Sequence, residues 1–348
     1  MNIARKMTAL IAAATLALGA CNAKKQDAST LKNGTPSQIS AIAVFIPGAA
    51  SGSPIYEMLV NGVKRAAEEF PGVSTQFIEG GYNQAEWEGK LTAIAASGKY
   101  SLIISSNSSM PALAQSVSLK FPEQRFLLLD GELSGIPNIY TLRYNQREQA
   151  YMAGYLAALL ASEAGGGRIG LIAGQEYPAM TQTILPGYSE GAADVNSAIE
   201  VDFRVAGNWY DAAKCAELAA GMIKDGDHVL LCIAGGANEG AVQAVAESPA
   251  SGARIIWFDT NGYAIRPPYI VGSSVVFQDK AAYNKTKLFL EGNLPFGAAE
   301  LVGVRDGYVD FIEDDPLYTE AVSSAVREKQ HAMLAQLRSG SLILGERP

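Results

Sequence analysis

The sequence predicts an α/β protein built as two Rossmann-like lobes with a ligand cleft between them. Three observations carry that reading. Short continuous apolar runs alternate with amphipathic stripes, the pattern of βαβ units and of parallel sheets covered on both faces. The rhythm runs once over residues 41–144 and restarts over 145–272. The strand ends carry polar or Gly-rich text, and ligands of open parallel sheets bind off the carboxyl ends of the strands.

In the first lobe, 42–46 reads as a buried strand. Residues 54–70 follow as a helix, with Ile55, Leu59, Val63, Ala66 and Phe70 on one face, Ser53 as N-cap and Pro54 at the first position. A strand at 75–78, a helix at 84–96, a strand at 102–104, a helix at 111–121 and strands at 126–129 and 139–142 complete it. A long apolar helix, 148–161, opens the second lobe. Strands at 169–172, 201–205, 229–232 and 255–258 are separated by helices near 181–196, 211–224 and 238–248. The remainder, with a strand at 270–276 and helices near 280–291 and 316–338, is too small for a third domain and is expected to cross back between the lobes.

Composition narrows the function. The chain has 348 residues, 48% hydrophobic and 18% charged, which excludes a disordered chain. A formal net charge of −8 without a long basic run argues against nucleic acid as a partner. Three cysteines make no disulfide scaffold, and two histidines without an HExxH or CxxC make no zinc site. No cofactor is expected. Gly165-Gly166-Gly167-Arg168-Ile169-Gly170 matches GxGxxG but precedes a strand, so the dinucleotide mechanism fails there. Without GxxxxGK[ST], the chain is not an ATPase of that type.

The N-terminus gives the compartment. Arg5 and Lys6 precede a twelve-residue apolar stretch, Met7 to Leu18, too short to span a bilayer and suited to a secretory signal. Leu18-Gly19-Ala20-Cys21 resembles a bacterial lipobox, which makes residues 1–20 the signal peptide, Cys21 the lipidated residue and the membrane a partner through that anchor. Residues 21–40 are a polar tether, reaching about 60 Å when extended. The folded body is expected on the extracytoplasmic face.

Candidate ligand residues sit at the strand ends. Trp209 and Tyr210 follow the strand 201–205 and can wall a flat ring; Tyr56, in the first helical turn, is the expected opposing platform. Asp259 and Asn261 end the last strand of the second lobe and can hold hydroxyl or N–H groups; Asp130 and Asn107 end strands of the first. Gly235 and Gly236 allow close backbone approach. Asx turns and lobe packing are the competing roles for these residues. Trp257 is expected in the core and Trp87 in surface or lobe packing. Cys215, on a helix, and Cys232, on the neighbouring strand, are expected as buried free thiols held apart. No nucleophile–His–acid set is present, so a binding protein is expected; a hydrolase using Asp259 and Asp130 is the alternative.

Several stretches resemble the basic-membrane-protein family of bacterial substrate-binding lipoproteins, which includes the purine nucleoside receptors: Phe121-Pro122 with Phe126 and Asp130-Gly131; Gln149-Ala150-Tyr151-Met152-Ala153-Gly154-Tyr155; Asp227 with Ile233-Ala234-Gly235-Gly236 and Gly240; and Asp259-Thr260-Asn261. The resemblance implies a type I periplasmic-binding-protein fold, a small-molecule ligand and an ABC permease as partner. The sequence departs from it after the first strand. Acidic and amide residues are usual there, whereas this chain reads Pro47-Gly48-Ala49 and then Pro54-Ile55-Tyr56. That loss of a first-lobe acid, with the aromatics Tyr56, Tyr177, Trp209 and Tyr210, favours riboflavin over a purine nucleoside as the expected ligand.

Overall fold

Residues 41–344 are described by a computed structural model, and their apolar runs become two six-stranded sheets. The first sheet contains β1 (Ala41–Ile46), β2 (Ser74–Glu79), β3 (Leu102–Ser106), β4 (Phe126–Leu129), β5 (Ile139–Tyr144) and β11 (Ala299–Val302), in the order β11-β5-β4-β3-β1-β2. The second contains β6 (Arg168–Ala173), β7 (Glu200–Val205), β8 (Val229–Ile233), β9 (Arg254–Asp259), β10 (Ile270–Val276) and β12 (Val309–Phe311), in the order β12-β10-β9-β8-β6-β7. Every pairing is parallel except β10 with β12. Strands β3, β4 and β8 are buried along their whole length, as central strands under helices on both faces must be. The signal segment, Cys21 and the tether lie outside the described residues.

The chain passes between the sheets three times. From β5 it enters α4 (Gln146–Glu163), which packs on the second sheet. From β10 it enters α8 (Gln278–Leu290), which returns to pack on α1 (Pro54–Glu68) beside the first. From β11 it passes to β12. The passages lie side by side: Asn145 N donates to Val302 O at 2.8 Å, and Phe277 N to Tyr308 O at 2.9 Å. The C-terminal segment therefore crosses back between the lobes.

Several details differ from the sequence reading. The helix expected at 316–338 is two, α9 (Pro316–Ala321) and α10 (Ser324–Ser339), because Val322 is extended and Ser323 caps the second through Val326 N. The helix expected near 181–196 opens with a π turn at Met180–Ile184 and continues as α5 (Leu185–Val195). Pro186, which has no N–H to give a regular ladder, sits at that junction. Ser53 makes no side-chain cap to α1. Strands β11 and β12, of four and three residues, carry too little pattern to read. Trp257 is half-buried, its indole N–H on Thr260 Oγ1 at 3.1 Å; Trp87 is buried and donates to Gly81 O at 2.8 Å.

Cys215 and Cys232 are buried free thiols, as expected, although their sulfurs lie closer than the reading of an adjacent helix and strand implied. Helix α6 (Ala212–Asp225) packs on α7 (Asn238–Glu247) and β6, with Cys215 and Ala219 among its buried residues, and the two free thiols approach to 3.3 Å.

Helix contacts elsewhere depend on missing side chains. A Cβ on Gly154 would stand 1.9 Å from Tyr188 O, and one on Gly191 2.2 Å from Tyr151 O, so α4 and α5 touch backbone to backbone. Such a contact cannot take a methyl without moving a helix. Gly154→Ala is expected to destabilise the fold by about 1–3 kcal/mol. Urea unfolding followed by circular dichroism measures it, and an unchanged midpoint would refute the close contact.

Candidate functional site

The carboxyl ends of both parallel sheets meet at one narrow cavity lined by Ile55, Asp130, Tyr144, Gln146, Asp259, Val276 and Gln278. A roomier groove, between Leu159, Val195 and Val326, is lined by α4, α5 and α10 and by no residue at the carboxyl end of a strand. The inner cavity is the candidate site because convergent polar groups line it. It holds about 30 Å³ for water-sized occupants, so the lobes are closed on each other. At the mouth, Tyr82 of the first lobe and Tyr210 of the second meet edge to face at 5.2 Å.

Two carboxylates define the electrostatics. Asp130 follows β4 and Asp259 ends β9, one from each lobe. Among the described residues they are the non-glycine positions with positive φ, 54° and 72°. That conformation turns the chain sharply off the strand, and Asp adopts it more readily than most residues. Burial, then the neighbouring Asp259, pushes Asp130 up to about 7, with Arg143 pulling it back. Burial pushes Asp259 up to about 6, opposed by a hydrogen bond from Gln149. Gln149, fully buried on α4, donates from Nε2 to Asp259 Oδ1 at 3.0 Å and to Ser274 O at 3.1 Å, while Ser274 Oγ donates to Gln149 O at 2.7 Å.

A second buried amide organises the floor. Gln278 Nε2 donates to Ser106 Oγ at 2.9 Å and to Ile55 O at 3.1 Å, and Tyr144 OH donates to Gln278 Oε1 at 3.0 Å. Burial raises the Tyr144 hydroxyl well above its usual value, so it remains a donor.

The aromatic residues flank the carboxylates. Tyr56 is half-buried, its hydroxyl pushed up to about 12 chiefly by burial and also by Asp130; Asn107 Nδ2 reaches it at 3.5 Å. Tyr177 is half-buried, its hydroxyl raised chiefly by burial and also by Asp259 and Asp130. Trp209 is half-buried. Its ring lies 5.8 Å from that of Tyr177, its Nε1 donates to Gln175 Oε1 at 3.0 Å, and its face packs on Gly174, where a Cβ would stand 2.7 Å away.

Of the expected residues, Asp130 and Asp259 line the cavity, Tyr56 and Asn107 approach each other beside it, Trp209 lies against Tyr177, and Tyr210 is exposed. Two expectations change. Asn261 is exposed and spent locally: Nδ2 donates to Asp315 Oδ2 at 3.1 Å, and Oδ1 accepts from Tyr263 N at 3.1 Å. Gly235, at φ 58°, serves loop packing, since a Cβ there would stand 3.2 Å from Trp209 O; Gly236 faces the same oxygen at 3.7 Å. Sequence reasoning missed Tyr144, Gln146 and Gln278. Tyr144 ends β5 and Gln146 opens α4, a polar break after apolar text and a legible signal. Gln278 is set by the chain crossing, which no local pattern marks.

The comparisons with known proteins agree with this architecture. A solute-binding protein of an ABC transporter system from Aeropyrum pernix K1 superposes with a TM-score of 0.75 at 23% identity, over 88% of this chain and 93% of that one. Basic membrane protein A1 of Borrelia garinii subsp. bavariensis is 26% identical over 288 residues, 81% of this chain and 82% of its own. The ABC transporter nucleoside-binding protein BmpA of Lactococcus lactis subsp. cremoris is 31% identical over 159 residues, 46% of this chain and 41% of its own. Residues 39–342, which carry both sheets and the cavity between them, match the PnrA-like ABC transporter substrate-binding proteins, and the chain belongs to that family.

Proposed function

We propose that this substrate-binding protein captures a purine nucleoside between its lobes and delivers it to an ABC permease, held at the extracytoplasmic face of the membrane by a lipid on Cys21. The observation that carries the ligand class is the pair Asp130 and Asp259, one from each lobe, on one cavity. Ionised carboxylates only accept hydrogen bonds, and a nucleoside offers ribose hydroxyls and base N–H groups at separate edges. Tyr56 and Tyr177, whose hydroxyls feel the charge of Asp130, are the aromatic candidates for a flat base. The nucleoside-binding relative supports a purine nucleoside over riboflavin. No helix of the described residues is long and apolar enough to cross a membrane, so the anchor rests on the lipobox.

Calorimetry on protein unfolded and refolded to remove carried ligand tests this. Guanosine, inosine or adenosine is expected to bind and riboflavin to give no heat. Riboflavin binding without nucleoside binding would reverse the choice. Release of free base during the titration would instead support the hydrolase using Asp130 and Asp259.

The carboxylates also give a pH dependence. Their folded values, about 7 and about 6, lie above the unfolded value near 3.9. Between those limits the folded protein holds more protons than the unfolded chain, so ligand-free stability falls as pH rises from about 4 to about 7. Nucleoside donors prefer ionised acceptors, so affinity rises over the same window. Asp130→Asn is expected to flatten both trends, read as Tm and Kd at pH 5 and pH 8. Equal slopes in the variant would remove Asp130 from the account.

The wall formed by Trp209 and Tyr177 makes a separate expectation. Trp209→Ala is expected to weaken nucleoside binding by about 1–3 kcal/mol, the range for losing one aromatic platform. Wild-type affinity in a folded variant would place Trp209 outside the site.

A further inference from the structure

Both cysteines of the described residues lie against each other, on elements that carry cleft loops. Cys215 is one turn into α6, whose N-cap Asp211 follows Trp209 and Tyr210; Cys232 is the penultimate residue of β8, just before Ala234 and Gly235. Their sulfurs are 3.3 Å apart, about 1.3 Å beyond the length of an S–S bond. Both side chains are buried, at 0% and 1% exposure, so no solvent-filled gap separates them. The loops they precede and follow are already joined, Ala237 N donating to Trp209 O at 3.2 Å.

We propose that Cys215 and Cys232 are joined by a disulfide when the chain folds in the presence of a disulfide oxidant, stapling α6 to β8 beneath the Trp209 loop. The expectation that the protein meets such an oxidant rests on the extracytoplasmic location proposed above. Both thiols are open to the oxidant until α6 closes over β8, and the exchange is the same whichever attacks first, Cys215 for instance. Its thiolate attacks one sulfur of the oxidant's disulfide, forming a mixed disulfide and expelling a thiolate. Cys232, giving up its proton, then attacks the Cys215 sulfur and expels the second thiolate. One S–S bond is formed and one broken; two electrons pass to the oxidant, which leaves as two thiols after taking up the two cysteine protons. Because the native pair is buried, exchange takes place before α6 closes over β8.

The bridge closes a 17-residue separation and restricts the unfolded chain accordingly. The test is refolding of the purified full chain with oxidised and reduced glutathione, then digestion without reduction and mass spectrometry. A peptide pair linking Cys215 to Cys232 is expected, with a Tm roughly 5 °C above that of the chain refolded in reductant. Cys215→Ala combined with Cys232→Ala is expected to keep the reduced chain's Tm within about 3 °C and to lose the response to oxidant. Both thiols of the oxidised, folded chain reacting with an alkylating agent once it is denatured without reductant would overturn the proposal, as would a bridge found only with Cys21. The refolding mixture supplies its own oxidant, so failure here would leave the location and ligand readings standing, and failure of those readings would leave the bridge standing.

Discussion

The geometry of the cleft depends on one buried side-chain amide, that of Gln278. It stands where the chain passes from β10 of the second sheet to α8 beside the first, with no exposure to solvent. A buried amide left unsatisfied costs about 1–3 kcal/mol per group. Its donor is used by Ser106 at the end of β3 and by Ile55 in the first turn of α1, and its acceptor by Tyr144 at the end of β5. Four segments are thereby fixed around one point, and two of the three chain passages are tied together. Movement of the lobes must turn about these ties or break them.

On that frame the two aspartates make an empty closed cleft electrostatically uncomfortable. Each is held at positive φ, a conformation costing on the order of 1–3 kcal/mol, and each is desolvated beside the other. Gln149 gives Asp259 one donor, and Arg143 is the cation acting on Asp130. The remaining acceptor capacity points at the cavity. On the proposed reading, a ligand with well-spaced donors would satisfy both carboxylates at once, one from each lobe, so that closure and ligand recognition share the same hydrogen bonds. A ligand lacking those donors leaves buried acceptors unpaired and is rejected for that reason.

Much of this was legible in the sequence, for physical reasons that differ by element. Strands such as Phe126–Leu129 are buried on both faces and read as unbroken apolar text; α1 shows its packed face at Leu59, Val63 and Ala66. Asp130 and Asp259 were legible because polar residues at the carboxyl ends of parallel strands have a predictable location. Asn261, two residues further on, is spent on Asp315, a partner 54 positions away that no local pattern reveals. The Cys215–Cys232 contact and the Gln278 ties are likewise tertiary: each depends on how closely a helix packs or where the chain crosses. The short strands β11 and β12 take their pairing from neighbours already in place, Val302 beside Tyr144 and Phe311 beside Ser274.

The altered text after β1 acquires a physical meaning from the same geometry. Gly48, at φ 144°, lies against two tyrosines: a Cβ there would stand 3.4 Å from the Tyr56 ring and 3.7 Å from that of Tyr82. An acidic side chain at this point would compete with both rings for space and would bring a third carboxylate toward Asp130 and Asp259. The loop instead presents backbone, with Ala50 N donating to Glu79 Oε1 at 2.9 Å and so directing that acid to the loop's own amide. Acceptor chemistry in the first lobe therefore falls to Asp130 at the end of β4, and the β1 loop supplies room for rings. On the proposed reading, the faces and edges of a ligand fall to different strands of the same sheet, the rings to a loop without side-chain bulk and the hydrogen bonds to Asp130 after β4.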